Sequence, residues 1–180
     1  MDAGRQERLG VVLFLVVSAV LLPRAASAAP SAASTVCTAA AGQLSIALVV
    51  DYGNGSVDAR CVTAGSSSNG AQALGSAFAV TTNSSGLVCT IGGYPSDGSC
   101  GTRTADGHYA YWSYWLGTTG SWQYASIGPG GHRVKADTVE GWRFQPNGNA
   151  NPTDPAPSHS PDPAATCSPP ATTAPGRRHA

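Results

Sequence analysis

The sequence predicts a small exported α+β domain, a mixed sheet of five to six strands with one short helix, held by disulfides and flanked by a leader and a proline-rich tail. Three observations predict it. Short β-branched and aromatic runs bounded by Gly and Asn recur through the middle of the chain. Only one stretch has helical spacing. Five cysteines stand in a chain that opens with an export leader, the usual setting of a disulfide framework.

Composition narrows the function classes before any motif is considered. Ten Lys and Arg balance ten Asp and Glu, and only 11% of the 180 residues are charged, against about 25% ordinarily. No basic surface is predicted, which excludes nucleic acid and an anionic membrane as partners. So little ionisable chemistry also disfavours an enzyme.

Taken in order, Arg5 and Arg8 precede the apolar run 9–22 (LGVVLFLVVSAVLL), and Ala26-Ser27-Ala28 forms a small-residue cleavage site. The run has 14 residues, short of the 18 or so expected of a spanning helix, so residues 1–28 read as a signal peptide. Membrane contact is expected only through the uncleaved signal, and the mature chain is expected to be secreted to the cell envelope. Residues 29–43 are small and polar and read as a flexible lead-in. The domain is expected over 44–145.

Residues 44–51 (LSIALVVD) read as a strand, Tyr52-Gly53-Asn54-Gly55-Ser56 as a turn, and 57–63 (VDARCVT), with its alternating apolar positions, as the return strand. Residues 65–70 (GSSSNG) form a loop. Leu74 and Phe78, four apart, place the one helix over 71–80, with Gly75 weakening it by about 1 kcal/mol. Residues 87–91 (LVCTI) are a strand. In 109–116 (YAYWSYWL), period two puts Tyr109, Tyr111, Ser113 and Trp115 on one face and Ala110, Trp112, Tyr114 and Leu116 on the other. GTTG then turns the chain into 121–127 (SWQYASI), and 139–144 (VEGWRF) is the last strand, with Trp142 and Phe144 on one side. From 146 to 180, nine prolines among small polar residues predict a disordered spacer.

Cys89 and Cys100 enclose TIGGYPSDGS and make the best disulfide pair. Cys37 with Cys61 is the second expected pair. Cys167 is left over, and the sequence allows it to be free, to link two chains or to displace one of the other partners.

The order VVDYG, VDARCV, GAQAL, VCTIGGYPSDGSC, YWSYW, Trp122-x-Tyr124 and VEGWRF resembles a family of exported actinobacterial proteins. Genes of that family often lie near vitamin or cobalt uptake systems of the energy-coupling-factor type. More distantly, YWSYW followed by HRVKADTVEGWRF resembles the DUF4430 domain, the small C-terminal domain of transcobalamin-like proteins. The resemblance covers 44–144. It implies a β-grasp-like fold, a ligand-binding role and no catalysis, with a corrinoid or another uptake substrate as ligand.

Between Tyr109 and Tyr124, seven of 16 residues are aromatic. Tyr111, Trp112, Tyr114, Trp115, Trp122, Tyr124 and Trp142 are therefore the candidate binding residues, a ring platform for a small planar or cyclic ligand or for an envelope glycan. An uptake-system protein or a wall glycan, met as a surface interaction module, is the alternative partner. Rings on both faces of one strand require each face to be covered by something, or one row to stay exposed. Asp106, His108 and Ser113 lack the setting of a nucleophile elbow, and His108, His132, Asp97, Asp106 and Asp137 match no metal-ligand spacing, so no catalytic residue, metal or cofactor is expected.

Overall fold

The structure is a computed structural model, and it describes residues 39–167. The predicted signal peptide, Cys37, most of the lead-in and residues 168–180 lie outside the described residues. β1 (Gln43–Asp51) and β2 (Val57–Gly65) pair antiparallel in the expected hairpin. The connection bends where Gly53 and Gly55 take positive φ, 69° and 94°, and the Tyr52 N–H closes it on the Ser56 carbonyl at 3.0 Å.

The helix α1 (Gly70–Ala77) starts one residue earlier than predicted and ends three earlier. Asn69 explains the start: its side chain accepts the Gln72 N–H at 2.9 Å while Gln72 Oε1 accepts the Asn69 N–H at 3.0 Å, a reciprocal cap. The chain then extends into β3 (Val80–Thr82), which pairs with β4 (Val88–Ile91) in a separate two-stranded sheet. Cys89 and Cys100 are joined, with Cα atoms 4.3 Å apart.

β5 (Thr102–Arg103), β6 (Tyr109–Thr118), β7 (Ser121–Tyr124) and β8 (Val139–Gly148) complete the main sheet. Its order is β2-β1-β8-β6-β5, with β7 also on β6. β1 and β8 run parallel in the middle and every other pair in this sheet is antiparallel. First and last strands side by side, with a helix following the first hairpin, make the β-grasp arrangement that the resemblance implied.

The face of the sheet toward α1 carries Ile46, Leu48 and Val50 of β1, Trp112 and Tyr114 of β6, and Trp142 and Phe144 of β8, packed against Leu74, Phe78 and Ile91. Rings of Tyr52, Tyr94, Trp112 and Phe144 meet edge to face at centroid distances of 5.3–6.3 Å. Such contacts add about 0.5–1.5 kcal/mol each beyond the area they bury.

The proline-rich segment departs from expectation. β8 runs through Pro146 to Gly148, and 149–167 folds back across the opposite face of the sheet, ending in the short helix α2 (Pro163–Cys167). Its few apolar groups suffice because the sheet supplies the bulk. The Trp122 indole lies over the backbone of Gly117 and Gly141, where a Cβ would stand 2.8 Å and 2.5 Å from the ring, and Pro161 and Pro157 close over it. Polar groups of the strap are answered by the sheet. Asp51, 1% exposed, takes Arg143 Nη1 at 2.5 Å and the Ser158 N–H and hydroxyl at 2.7 Å each, while its other oxygen takes the Gly53 N–H at 2.8 Å. Burial pushes the Asp51 carboxyl up, and these bonds with the Arg143 charge outweigh it and hold the group below its ordinary value.

The strap also corrects the second disulfide. Cys61 of β2 is bonded to Cys167, with Cα atoms 4.9 Å apart, and not to Cys37. Sequence proximity favoured Cys37, but the return of the chain across the sheet carries Cys167 to β2. This link joins residues 106 apart in sequence, for which loop-closure entropy gives about 5 kcal/mol. Cys167→Ser should lower the unfolding free energy in urea by that order and open 149–167 to limited proteolysis. An unchanged midpoint with an intact strap would contradict this assignment.

Candidate functional site

The seven candidate rings divide between the two faces. Tyr111, Trp112, Tyr114, Trp115 and Trp142 are buried, none more than 7% exposed, and Trp122 and Tyr124 are partly buried. The expected platform is therefore corrected: most of these rings fill the interior, because the chain's own strap lies over one row.

On the strap face, Tyr111 donates its hydroxyl to Asp154 Oδ2 at 2.5 Å, and burial together with that bond raises its pKa above the ordinary tyrosine value. Trp115 packs edge-on against Tyr124 at 5.1 Å and donates Nε1–H to Ser113 Oγ at 2.8 Å. Trp122 donates its indole N–H to the His159 carbonyl at 2.9 Å. Tyr111 and Trp122 thus hold the strap directly.

The other face is covered incompletely. Between the turn ahead of β4 and the loop after β7, an open pocket of about 400 Å³ reaches down to Trp112, Tyr114 and Trp142. One wall is Ser85, Gly86, Leu87 and Val88, and the other is Gly128 and Pro129. Asn83 shapes the first wall: its Oδ1 accepts the N–H groups of Ser85 and Leu87 at 3.0 Å each, and Gly86 takes φ 79° to complete the turn. Leu87, 37% exposed, stands at the mouth.

Beneath the pocket floor lies a buried acid. Tyr114 donates its hydroxyl to Glu140 Oε2, while Glu140 Oε1 has no hydrogen-bond partner and lies 3.4 Å from His132 Nε2. Gly70 makes room for the pair, since a Cβ there would stand 2.5 Å from the Tyr114 oxygen and 2.9 Å from Glu140 Oε2. Burial pushes the Glu140 carboxyl up to about 7, against the pull of the Tyr114 bond. Burial and then the Lys135 charge hold His132 below its ordinary value. Glu140 escaped notice in the sequence, although period two within VEGWRF already sets it on the face of Trp142 and Phe144.

Among the remaining candidates, His108 Nε2 lies 4.0 Å from Asp106 Oδ2. Ser113 donates to the Arg143 carbonyl at 3.0 Å and accepts from Trp115 and from Gln145 Nε2 at 2.9 Å, so its oxygen is fully engaged and shut from solvent. His108 contacts Asn149 Oδ1 at 3.1 Å, and Asp106 accepts the Thr104 hydroxyl. Asp97 accepts the N–H and hydroxyl of Ser99 at 3.0 Å and 2.9 Å. Among the described residues, no group of three or more His, Cys, Asp and Glu side chains is arranged to hold a metal ion.

Fold and site together define a β-grasp-like domain with a ring-floored pocket on its helix face. A family described as the SCO2322-like domain matches residues 104–180, the part of the chain that contains β6, β7, β8 and the strap. Among curated proteins none matches this chain. Among solved structures, the crystal structure of haptocorrin in complex with Cbi is similar over 58% of this chain, at 17% identity and a TM-score of 0.42, and the chain spans 25% of that protein's length.

Glu140 supplies a test of the buried acid. Its folded pKa of about 7 stands above the ordinary 4.5, so its contribution to stability is complete below pH 4.5 and is lost as pH rises through about 7. The loss amounts to roughly 3 kcal/mol by pH 8. His132, with its lowered pKa, titrates in the opposite sense, losing stability as pH falls below its ordinary 6.5. Glu140→Gln keeps the acceptor for the Tyr114 hydroxyl without the charge, so the variant should gain on the parent protein in urea unfolding at pH 8 and not at pH 4.5. Equal differences at the two pH values would show that the carboxyl is not held neutral.

Proposed function

We propose that this chain is an exported, non-catalytic binding module that holds a small planar or cyclic ligand over Trp112, Tyr114 and Trp142. The observation that carries the proposal is the pocket itself, open to solvent over three rings of the sheet face against which α1 and the 80–94 segment pack. Its volume lies at the lower end of the range of about 300–1,000 Å³ usual for ligand sites. It suits a small ring system whole, or one edge of a larger macrocycle.

The corrinoid or uptake-substrate form of this reading rests on the resemblance of YWSYW and VEGWRF to the transcobalamin-like C-terminal domain. A non-catalytic role is supported by the full engagement of Ser113. Two disulfides suit an oxidising, extracellular compartment, and among the described residues no helix is long and apolar enough to cross a membrane. A position at the cell envelope, as an accessory to uptake, follows from these features taken with the predicted leader.

Equilibrium dialysis of the full mature chain against cobinamide and cobalamin tests the proposal. Saturable binding is expected, weakened about tenfold or more by Leu87→Glu, which places a charge at the pocket mouth while leaving the core intact. No binding up to millimolar ligand, or binding indifferent to Leu87→Glu, removes the corrinoid form. Retention on cell-wall polysaccharide would instead favour the surface-interaction alternative.

A further inference from the structure

We propose that the cleft between the β6–β7 hairpin and the 132–138 loop is a second binding site, separate from the ring-floored pocket, that takes a small oxyanion together with a proton. The cleft lies farther along β6. Trp112 and Tyr114 floor the first pocket, and Leu116 and Thr118, the next positions on that face, line the second. Its volume of about 210 Å³ falls short of the ~300 Å³ at which sites for drug-sized ligands begin, so it suits a small ion or the end group of a larger molecule.

Charge decides what enters. His132 and Lys135 are the side chains lining the cleft that can carry charge, both carry it positive, and no Asp or Glu is among the lining residues. Among the described residues, no carboxylate lies within ion-pair distance of Lys135. Thr118, Ser121 and Gln123 add exposed side-chain donors around them. The backbone under the two cations is held. The His132 carbonyl takes the Gly70 N–H at 3.0 Å, the Val134 N–H goes to the Ser68 carbonyl at 3.1 Å, and the Lys135 carbonyl takes the Thr138 hydroxyl at 2.9 Å. Val134 itself is 2% exposed and anchors the loop in the core. Such ties lower the ordering cost of binding.

A buried acceptor behind the cleft supplies the link to a proton. Glu140 is fully buried, and its Oε1 has no hydrogen-bond partner and lies 3.4 Å from His132 Nε2. The charged and titratable groups around the His132 ring are Lys135 and the neighbouring Arg133 on its own loop, Glu140 from β8, and Tyr114 from β6, whose ring centroid is 6.1 Å away. The helix α1 brings none. Burial and then the Lys135 charge hold the imidazole below its ordinary value, so without a ligand it is neutral at pH 7. An oxyanion beside Lys135 offsets that charge and favours the imidazolium, which then stands between the bound anion and the Glu140 carboxyl group. Anion binding and protonation thereby strengthen each other by the same factor.

NMR titration of the full mature chain in sodium sulfate, sodium acetate and sodium perchlorate at matched ionic strength tests this through the imidazole signals of His132, assigned by their loss in His132→Gln. Sulfate stands for a tetrahedral oxyanion, acetate for a carboxylate, and perchlorate is the weakly coordinating control. The His132 midpoint should rise by about one pH unit in sulfate or acetate relative to perchlorate, and the anion's affinity should increase about tenfold between pH 8 and pH 5.5. Whichever anion gives the larger response identifies the form of the ligand. Lys135→Gln should raise the midpoint in perchlorate and abolish the response to the anions, and the His108 signals should not distinguish the three salts. Equal His132 midpoints in all three salts, a response shared by His108, or a response that survives in Lys135→Gln would overturn the proposal. None of these outcomes depends on whether the ring-floored pocket binds its own ligand.

Discussion

A strand that carries large rings on both faces needs two covers, and the rest of this structure follows from how β6 obtains them. Tyr111 and Trp115 face one way, Trp112 and Tyr114 the other, and all four are buried. On one side the cover is α1 with the segment around β3 and β4. On the other it is the chain's own C-terminal segment, drawn across the sheet by the Asp51 cluster with Arg143 and Ser158, by the slot that Gly117 and Gly141 leave for Trp122, and by the Cys61–Cys167 bond. The two covers differ in completeness. The strap leaves its rings engaged with protein partners, whereas the helix side leaves a pocket over three rings.

This asymmetry relates the fold to the proposed role. Binding sites need rigid walls and a surface that water does not already satisfy. Here the rigid part is the β-grasp sheet with β1 and β8 parallel at its centre, and the surface is the ring floor of the pocket. Beneath that floor, burial pushes the Glu140 carboxyl up to about 7.

Much of the fold was legible in local pattern. Alternation alone divides β6 into its two faces correctly, and Gly53, Asn54 and Gly55 mark the first turn. The Cys89–Cys100 pair follows from a short glycine-rich loop between them. The strap was not legible, because composition speaks of what a segment can bury alone, and 149–167 buries what the sheet provides. Pro157 and Pro161 act as lids on an indole, which no count of prolines distinguishes from a spacer. The second disulfide was missed for the same reason: Cys167 reaches Cys61 only once the strap has crossed. The pocket itself was not legible. Ring density pointed to β6 and Trp142, yet which rings would be covered depends on the strap, and the pocket walls around Leu87 and Pro129 carry no compositional mark.

The measurement that bears most directly on this account is hydrogen exchange at the four indole N–H groups of the intact, oxidised chain. Trp115 and Trp122 donate to Ser113 Oγ and to the His159 carbonyl, and Trp112 and Trp142 are shut from water. All four should exchange far more slowly than free indole, with Trp122 becoming fast once the Cys61–Cys167 bond is reduced and the strap is released. Exchange of Trp115 and Trp122 at the free rate in the oxidised chain would mean that the strap does not cover the sheet, and the twofold cover on which the account rests would be wrong.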